Sequence, residues 1–179
     1  IAVGDRGGVY LTGLTDSPDF PVGGGYDDTI NGSVDAFVVK MNESGTILWS
    51  TYLGGSDWDD PSPLGGSGVS YDPIEDVLYV TGASQSLDFP AVGPDSGSDP
   101  GQSRSFIAKF LSDGTLRWTK FLGGSAEDHG LQVVPDGRGY LYFLGWTLSD
   151  DFPTSNGFDR TYNSTADNVY PGGDGFLAR

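Results

Sequence analysis

Carboxylates are the side chains with the most chemical potential in this sequence, and they come in short runs. Asp57-Trp58-Asp59-Asp60 directly follows Leu53-Gly54-Gly55-Ser56. Three carboxylates on a glycine-flanked loop offer hard oxygen ligands, of which Ca2+ takes about six to eight. A solvated acidic loop is the plainer reading, and a second Leu-Gly-Gly-Ser at 122–125 is followed by Glu127-Asp128 only. Asp95-Ser-Gly-Ser-Asp99-Pro-Gly101 has the i, i+4 acid spacing of part of a calcium loop, without the distal bidentate Glu of an EF-hand. Asp27-Asp28 with Asn31 and Asp35 forms another acid-rich stretch. Ca2+ is therefore the one cofactor that the sequence suggests, with Asp57, Asp59, Asp60, Asp95 and Asp99 as its candidate ligands.

Nothing comparable points to catalysis. His129 is the single histidine and there is no cysteine. Two-histidine metal sites, thiolate chemistry and disulfides are thereby excluded, and nothing positions a nucleophile beside Glu127-Asp128-His129. A glycosidase-like carboxylate pair stays open, because separation in space is not readable in a sequence so rich in Asp. Gly23-Gly24-Gly25 and Gly65-Gly66-Ser67-Gly68 lack the following helix and the Lys of a phosphate loop. Trp58, on the acidic run, has the apolar face to stack on a sugar ring. Sequons at Asn31-Gly32-Ser33, Asn42-Glu43-Ser44 and Asn163-Ser164-Thr165 fall in expected turns and make Asn31, Asn42 and Asn163 glycosylation candidates.

The elements that carry these residues follow from composition and repetition. There are 25 acidic residues against 9 basic ones, a net charge of −16, which disfavours nucleic acid as a partner. Only 3 of the acids are Glu. Asp belongs in turns and oxygen-ligand loops, whereas Glu is the better helix former. Hydrophobic residues at 36% and aromatics at 13% are too abundant for a disordered chain. The apolar runs are too short for a membrane-inserted helix. The turn-rich, aromatic-rich pattern points to an all-β fold. Beginning at Ile1 with no signal peptide, the sequence reads as a processed form or a piece of something longer.

The chain repeats itself. Tyr10-Leu-Thr-Gly13, Tyr79-Val-Thr-Gly82 and Tyr142-Phe-Leu-Gly145 are each followed, after five residues, by Asp-Phe-Pro at 19–21, 88–90 and 151–153. Phe37-Val-Val-Lys40, Phe106-Ile-Ala-Lys109 and Phe176-Leu-Ala-Arg179 form a second set. Residues 45–56, from Gly-Thr through Trp49 to Leu-Gly-Gly-Ser, match 114–125 around Trp118. Each block reads as a short strand, with hairpin turns at 42–45 and 112–114 and a further strand before each Tyr block. The expected core is the recurrent aromatic set: Tyr10, Tyr79 and Tyr142; Phe20, Phe89 and Phe152; Phe37, Phe106 and Phe176; and Trp49 and Trp118. In Asp-Phe-Pro the Asp is expected to cap a turn, the Phe to pack between blades, and the Pro to fix the exit.

Four short strands per repeat describe a β-propeller blade. The pattern of Tyr-x-x-Gly, Asp-Phe-Pro, Asp35-Ala-Phe-Val-Val-Lys40 and Trp49-Ser-Thr-Tyr-Leu-Gly-Gly55 resembles the SBBP repeat, named for the seven-bladed β-propeller. The second copy carries Arg104 where the others carry Asp35 and Asp174. The resemblance implies a secreted or cell-surface scaffold of bacteria or archaea more than an activity. The blades are expected near 1–56, 66–125 and 130–179, with eleven of twelve strands present. Three blades do not close a ring, since propellers have about four to eight. The remainder of a longer propeller, self-association or an open stack would resolve this. The expectation is a non-enzymatic extracellular module in a structural or adhesive assembly, calcium stiffening its loops. The alternative is a carbohydrate-binding or carbohydrate-active propeller, with glycans as partners.

Overall fold

The computed structural model describes residues 1–60, 68–94, 103–163 and 173–179, with the side chain of Arg6 set aside. Strands and one 3-10 turn at Asp5–Gly7 make up its elements. The first sheet runs in chain order through β1 (Ala2–Val3), β2 (Val9–Thr15), β3 (Asp35–Met41) and β4 (Ile47–Leu53). The second holds β5 (Asp59–Asp60), β6 (Val69–Asp72), β7 (Val77–Ser84), β8 (Arg104–Leu111) and β9 (Leu116–Leu122). There β5 and β6 lie end to end along one edge of β7. The third sheet is β10 (Asp128–Pro135), β11 (Leu141–Thr147) and β12 (Asp174–Ala178). All pairings in the sheets are antiparallel, and among the described residues no closed ring forms.

The repeat blocks fall in register. Gly13, Gly82 and Gly145 sit opposite Phe37, Phe106 and Phe176 across the second and third strands of each sheet. A Cβ at Gly13 would lie 2.7 Å from the Phe37 ring, and one at Gly145 would lie 2.3 Å from the Phe176 ring. The Tyr-x-x-Gly glycine therefore clears the space in which the Phe ring lies. That ring packs on the Phe of Asp-Phe-Pro in its own repeat: Phe20–Phe37 at 4.7 Å, Phe89–Phe106 at 4.7 Å and Phe152–Phe176 at 4.6 Å. Phe89 and Phe152 also join the clusters packed between the sheets, as expected for the Asp-Phe-Pro Phe. The hairpin turns close as expected, with Gly45 and Gly114 at φ of 80° and 92°.

The core lies between the sheets, which stack face to face. Tyr10, Val38, Trp49 and Leu53 of the first sheet bury against Val69, Leu78, Val80, Phe106, Phe110 and Leu116 of the second. Val77 and Tyr79 of the second bury against Val133, Phe143 and Phe176 of the third. Tyr10 stacks on Tyr71, and Trp49 stacks on Phe110 while its Nε1 donates to the Ser112 carbonyl at 2.9 Å. Phe20, Phe37, Trp118 and Phe152 are partly buried. Tyr142, expected in the core, is 39% exposed. Tyr10 and Tyr79 are covered by the sheet that follows theirs, whereas no described sheet follows the third.

The sheet boundaries differ from the expected blades. β5 and the first residues of β10 already pair with β7 and β11 of the following sheet, so the crossing lies directly behind Leu-Gly-Gly-Ser. Asp59 and Asp60 are thus strand residues rather than part of a loop. Among the described residues, no helix is long and apolar enough to cross a membrane.

Candidate functional site

The densest polar constellation sits where each repeat hands over to the next. After Leu53-Gly54-Gly55 the chain passes under the turn at 84–90, and after Leu122-Gly123-Gly124 it passes under the turn at 147–153. At the first crossing, the Ser56 N–H and Oγ donate to Asp88 Oδ1 at 2.7 and 2.9 Å, and the Asp57 N–H donates to Ser86 Oγ at 2.9 Å. The Ser86 hydroxyl donates to Asp59 Oδ2 at 2.7 Å, which also accepts the Gly55 N–H at 2.7 Å. The second crossing repeats these bonds. Ser125 N–H and Oγ donate to Asp151 Oδ1 at 2.7 and 3.0 Å, Ala126 N–H to Ser149 Oγ at 2.9 Å, Ser149 Oγ to Asp128 Oδ2 at 2.9 Å, and Gly124 N–H to that same oxygen at 2.7 Å.

Each crossing is a latch. One half is Gly-Gly-Ser-x-x-Asp from the outgoing repeat, and the other is Ser-x-Asp-Phe-Pro from the incoming one. The glycines are required by close approach. A Cβ at Gly55 would lie 2.5 Å from Asp88 Oδ1, and one at Gly124 would lie 2.2 Å from Asp151 Oδ1. Asp88 and Asp151 of Asp-Phe-Pro, expected to cap their own turns, also bind the preceding repeat.

Electrostatics separate the two carboxylates of a latch. Asp88 and Asp151 are held below the usual carboxylate range, chiefly by the Ser56 and Ser125 N–H groups. Burial dominates at the other carboxylate. It pushes Asp59 up to about 6 and Asp128 upward, against the hydrogen bonds that each accepts. Asp59 Oδ1 and Asp128 Oδ1 are buried without a hydrogen-bond partner. In the second repeat Arg104 replaces the first repeat's Asp35, and its Nη2 donates to the Gly124 carbonyl at 3.2 Å. It reinforces the latch there, where Asp35 binds the Asn31 and Gly32 N–H groups of its own loop.

The candidate calcium ligands do not converge. Asp57 is exposed, Asp59 is committed to the latch, and Asp60 is buried in β5. Asp95 and Asp99 lie outside the described residues. Among the described residues, no group of three or more acidic or histidine side chains is arranged to hold a metal ion. His129 is buried, stacks on Trp146 at 4.2 Å, and is pushed down to about 4 by burial. Trp58 is 36% exposed. Of the sequon amides, Asn31 Nδ2 is bound by Asp27 Oδ2 and Asn163 Nδ2 by Asp159 Oδ2. Asn42 instead uses its Oδ1 to close the hairpin with Ser44 and Thr46.

Those Asn bonds belong to a motif that the sequence reading missed. Asp27-x-Thr29-x-Asn31 and Asp159-x-Thr161-x-Asn163 fold identically, the Thr N–H and Oγ1 both donating to Asp Oδ1. In the first repeat this loop rides on β4: Tyr52 N–H donates to the Asp27 carbonyl, and Asp27 N–H to Thr51 Oγ1. In the third repeat the Asn163 N–H of the same loop donates to Asp174 Oδ2 of β12 at 2.6 Å, and the loop borders an open groove of about 580 Å³ lined by Phe152, Asp159, Tyr162, Asp174 and Phe176. The latch serines were also missed, although Ser17, Ser86 and Ser149 stand two residues before the Asp in every copy.

No family model matches the chain, and neither does any curated protein.

Proposed function

We propose that the chain is a non-enzymatic structural module of an extracellular or cell-surface assembly, built from β-propeller-type blades of the SBBP kind. The supporting observation is the latch. At both crossings the recurrent Ser, Asp and Gly residues that would be the raw material of a catalytic or metal site are engaged in joining one repeat to the next. A carboxylate buried at such a crossing, accepting from a backbone N–H and a serine hydroxyl, is a fastening rather than a reagent. The net charge of −16 keeps such an array soluble and repels polyanions. Binding of further partners in the assembly would use loops carried on the rigid sheets.

The test is a paired screen of the purified protein: a broad glycan array, and a hydrolase and lyase panel with reducing-sugar readout. The structural reading expects neither binding nor turnover. Saturable glycan binding, or sugar release that is lost on substituting a surface acid, overturns it in favour of a carbohydrate-directed module.

A further inference from the structure

The first blade presents the incoming half of a latch with nothing in it. Its turn is already folded like the two filled ones. Ser17 N–H donates to Thr15 Oγ1 at 3.1 Å, as Ser86 N–H does to Ser84 Oγ at 3.1 Å and Ser149 N–H to Thr147 Oγ1 at 2.9 Å. Phe20 N–H reaches the Ser17 carbonyl at 3.2 Å, matching 3.3 Å at both Phe89 and Phe152. Tyr52 OH donates to that same carbonyl at 2.7 Å and fixes the turn from the outer strand.

What differs is the other half. Asp19 and the Ser17 hydroxyl have no hydrogen-bond partner among the described residues, whereas Asp88, Asp151, Ser86 and Ser149 each have one from the preceding repeat. The Gln85 and Leu148 N–H groups donate to the carbonyls of Trp58 and Glu127, and Asp16 has no such acceptor. The neighbouring strand edge is open too. Ser84 and Ala83 pair with Asp59 and Asp60, and Thr147 and Trp146 pair with Asp128 and His129. Thr15 and Leu14 pair with β3 alone, and Leu14 is 50% exposed where Ala83 is 3% exposed.

We propose that this edge, Thr12–Thr15 with Ser17 and Asp19, is an acceptor site for a Leu-Gly-Gly-Ser-x-x-Asp strand of a further repeat. The occupant is read from the two filled copies. Its Ser N–H and Oγ bind Asp19, its next N–H binds Ser17 Oγ, and its Asp accepts the Ser17 hydroxyl while its backbone pairs with Thr15 and Leu14. The two Leu-Gly-Gly-Ser segments of this chain are already engaged at their own crossings, so the donor is a repeat outside these 179 residues. Selectivity comes from the glycine pair, since the filled sites leave no room for a Cβ at the second glycine. The proposal rests on the structural reading above and names the chemistry of the partner.

The experiment is an NMR titration of the isotope-labelled protein with a synthetic peptide of the sequence of residues 121–131. Saturable shifts of the Thr12–Thr15, Asp16 and Ser17 amides are expected. The same peptide with Gly124→Ala should bind about tenfold more weakly or not at all, and so should the original peptide to Asp19→Ala protein. Asp19 is exposed and has no hydrogen-bond partner among the described residues, so this variant should keep the wild-type spectrum elsewhere. Absence of shifts at millimolar peptide overturns the acceptor, and so do equal shifts with the alanine peptide. The glycan and hydrolysis screen reads the structural proposal independently of either result.

Discussion

The two glycines and two carboxylates of a latch divide its work. The second glycine admits the partner turn, and a methyl group there meets Asp88 Oδ1 at 2.5 Å and the Phe89 backbone nitrogen at 2.9 Å. Backbone cannot swing away as a flexible side chain would. Gly55→Ala should therefore destabilise the protein by about 2–3 kcal/mol in urea unfolding; a loss within error would mean that the crossing is loose. Asp88 is exposed but accepts two donors from Ser56, and Asp88→Ala should cost about 1 kcal/mol. Asp19→Ala, in the empty copy of the same motif, should leave the unfolding midpoint unchanged. Equal costs at both positions would deny the latch its role. The buried carboxylate gives a pH signature. Asp59 in the folded chain titrates near 6, above the roughly 3.9 of an unfolded chain, so folding takes up a proton between those values. Its contribution to stability is fully present below about pH 4 and is lost as pH rises through about 6. Asp59→Asn is fixed neutral. Its stability relative to wild type should thus be best at pH 7 and should fall by about 2 kcal/mol by pH 4. His129, whose lowered pKa acts in the opposite direction, is common to both proteins and cancels in the difference. A pH-independent difference would mean that burial leaves Asp59 unperturbed. These roles were only partly legible in the sequence. The acids at 57–60 look alike along the chain, and only the crossing into the next sheet separates exposed Asp57 from buried Asp59.

At the scale of the strand, the sequence was informative wherever one face is buried. Alternation around Phe37 and Phe106, the Gly-Thr hairpins and the Tyr-x-x-Gly blocks each mark a strand that the fold contains, because burial on one face imposes a period of two. The start of each inner strand was not legible. Asp59-Asp60 and Asp128-His129 are polar or charged, and no hydrophobic pattern announces a strand whose partners are backbone groups and latch oxygens. The Asp-x-Thr-x-Asn loops escaped for a related reason: their order comes from local side-chain bonds, without apolar periodicity. The sheet-to-sheet contact depends on large aromatics from the outer strand. Trp49 is 4% exposed, stacked on Phe110 and hydrogen-bonded to Ser112 of the next repeat. Trp49→Ala should cost about 3–5 kcal/mol by chemical denaturation. Trp118 is only partly buried against Tyr79, so Trp118→Ala should cost clearly less. A reversed order would place the main core elsewhere than between the first two sheets.

At the scale of the molecule, three stacked sheets are joined by two filled latches and present an empty acceptor at the first sheet and an open groove at the third. The repeat count was readable from the sequence, because identical spacings survive any fold. The open ends were foreseen as a ring left unclosed by three repeats and a shortage of one strand. Which atoms wait at those ends became visible through comparison of filled and unfilled copies in the structure. The groove beside β12 and the acceptor at Asp19 call for consecutive parts of one segment, an outer strand followed by Gly-Gly-Ser-x-x-Asp. Sedimentation velocity on the chain extended after Arg179 by a copy of residues 112–130 tests this most directly. The added outer strand should fill the groove, and its latch should reach Asp19 of another molecule. The expected result is concentration-dependent assembly that Asp19→Ala abolishes and that the unextended chain does not show. An extended chain that stays monomeric at every concentration would contradict assembly through repeated latches.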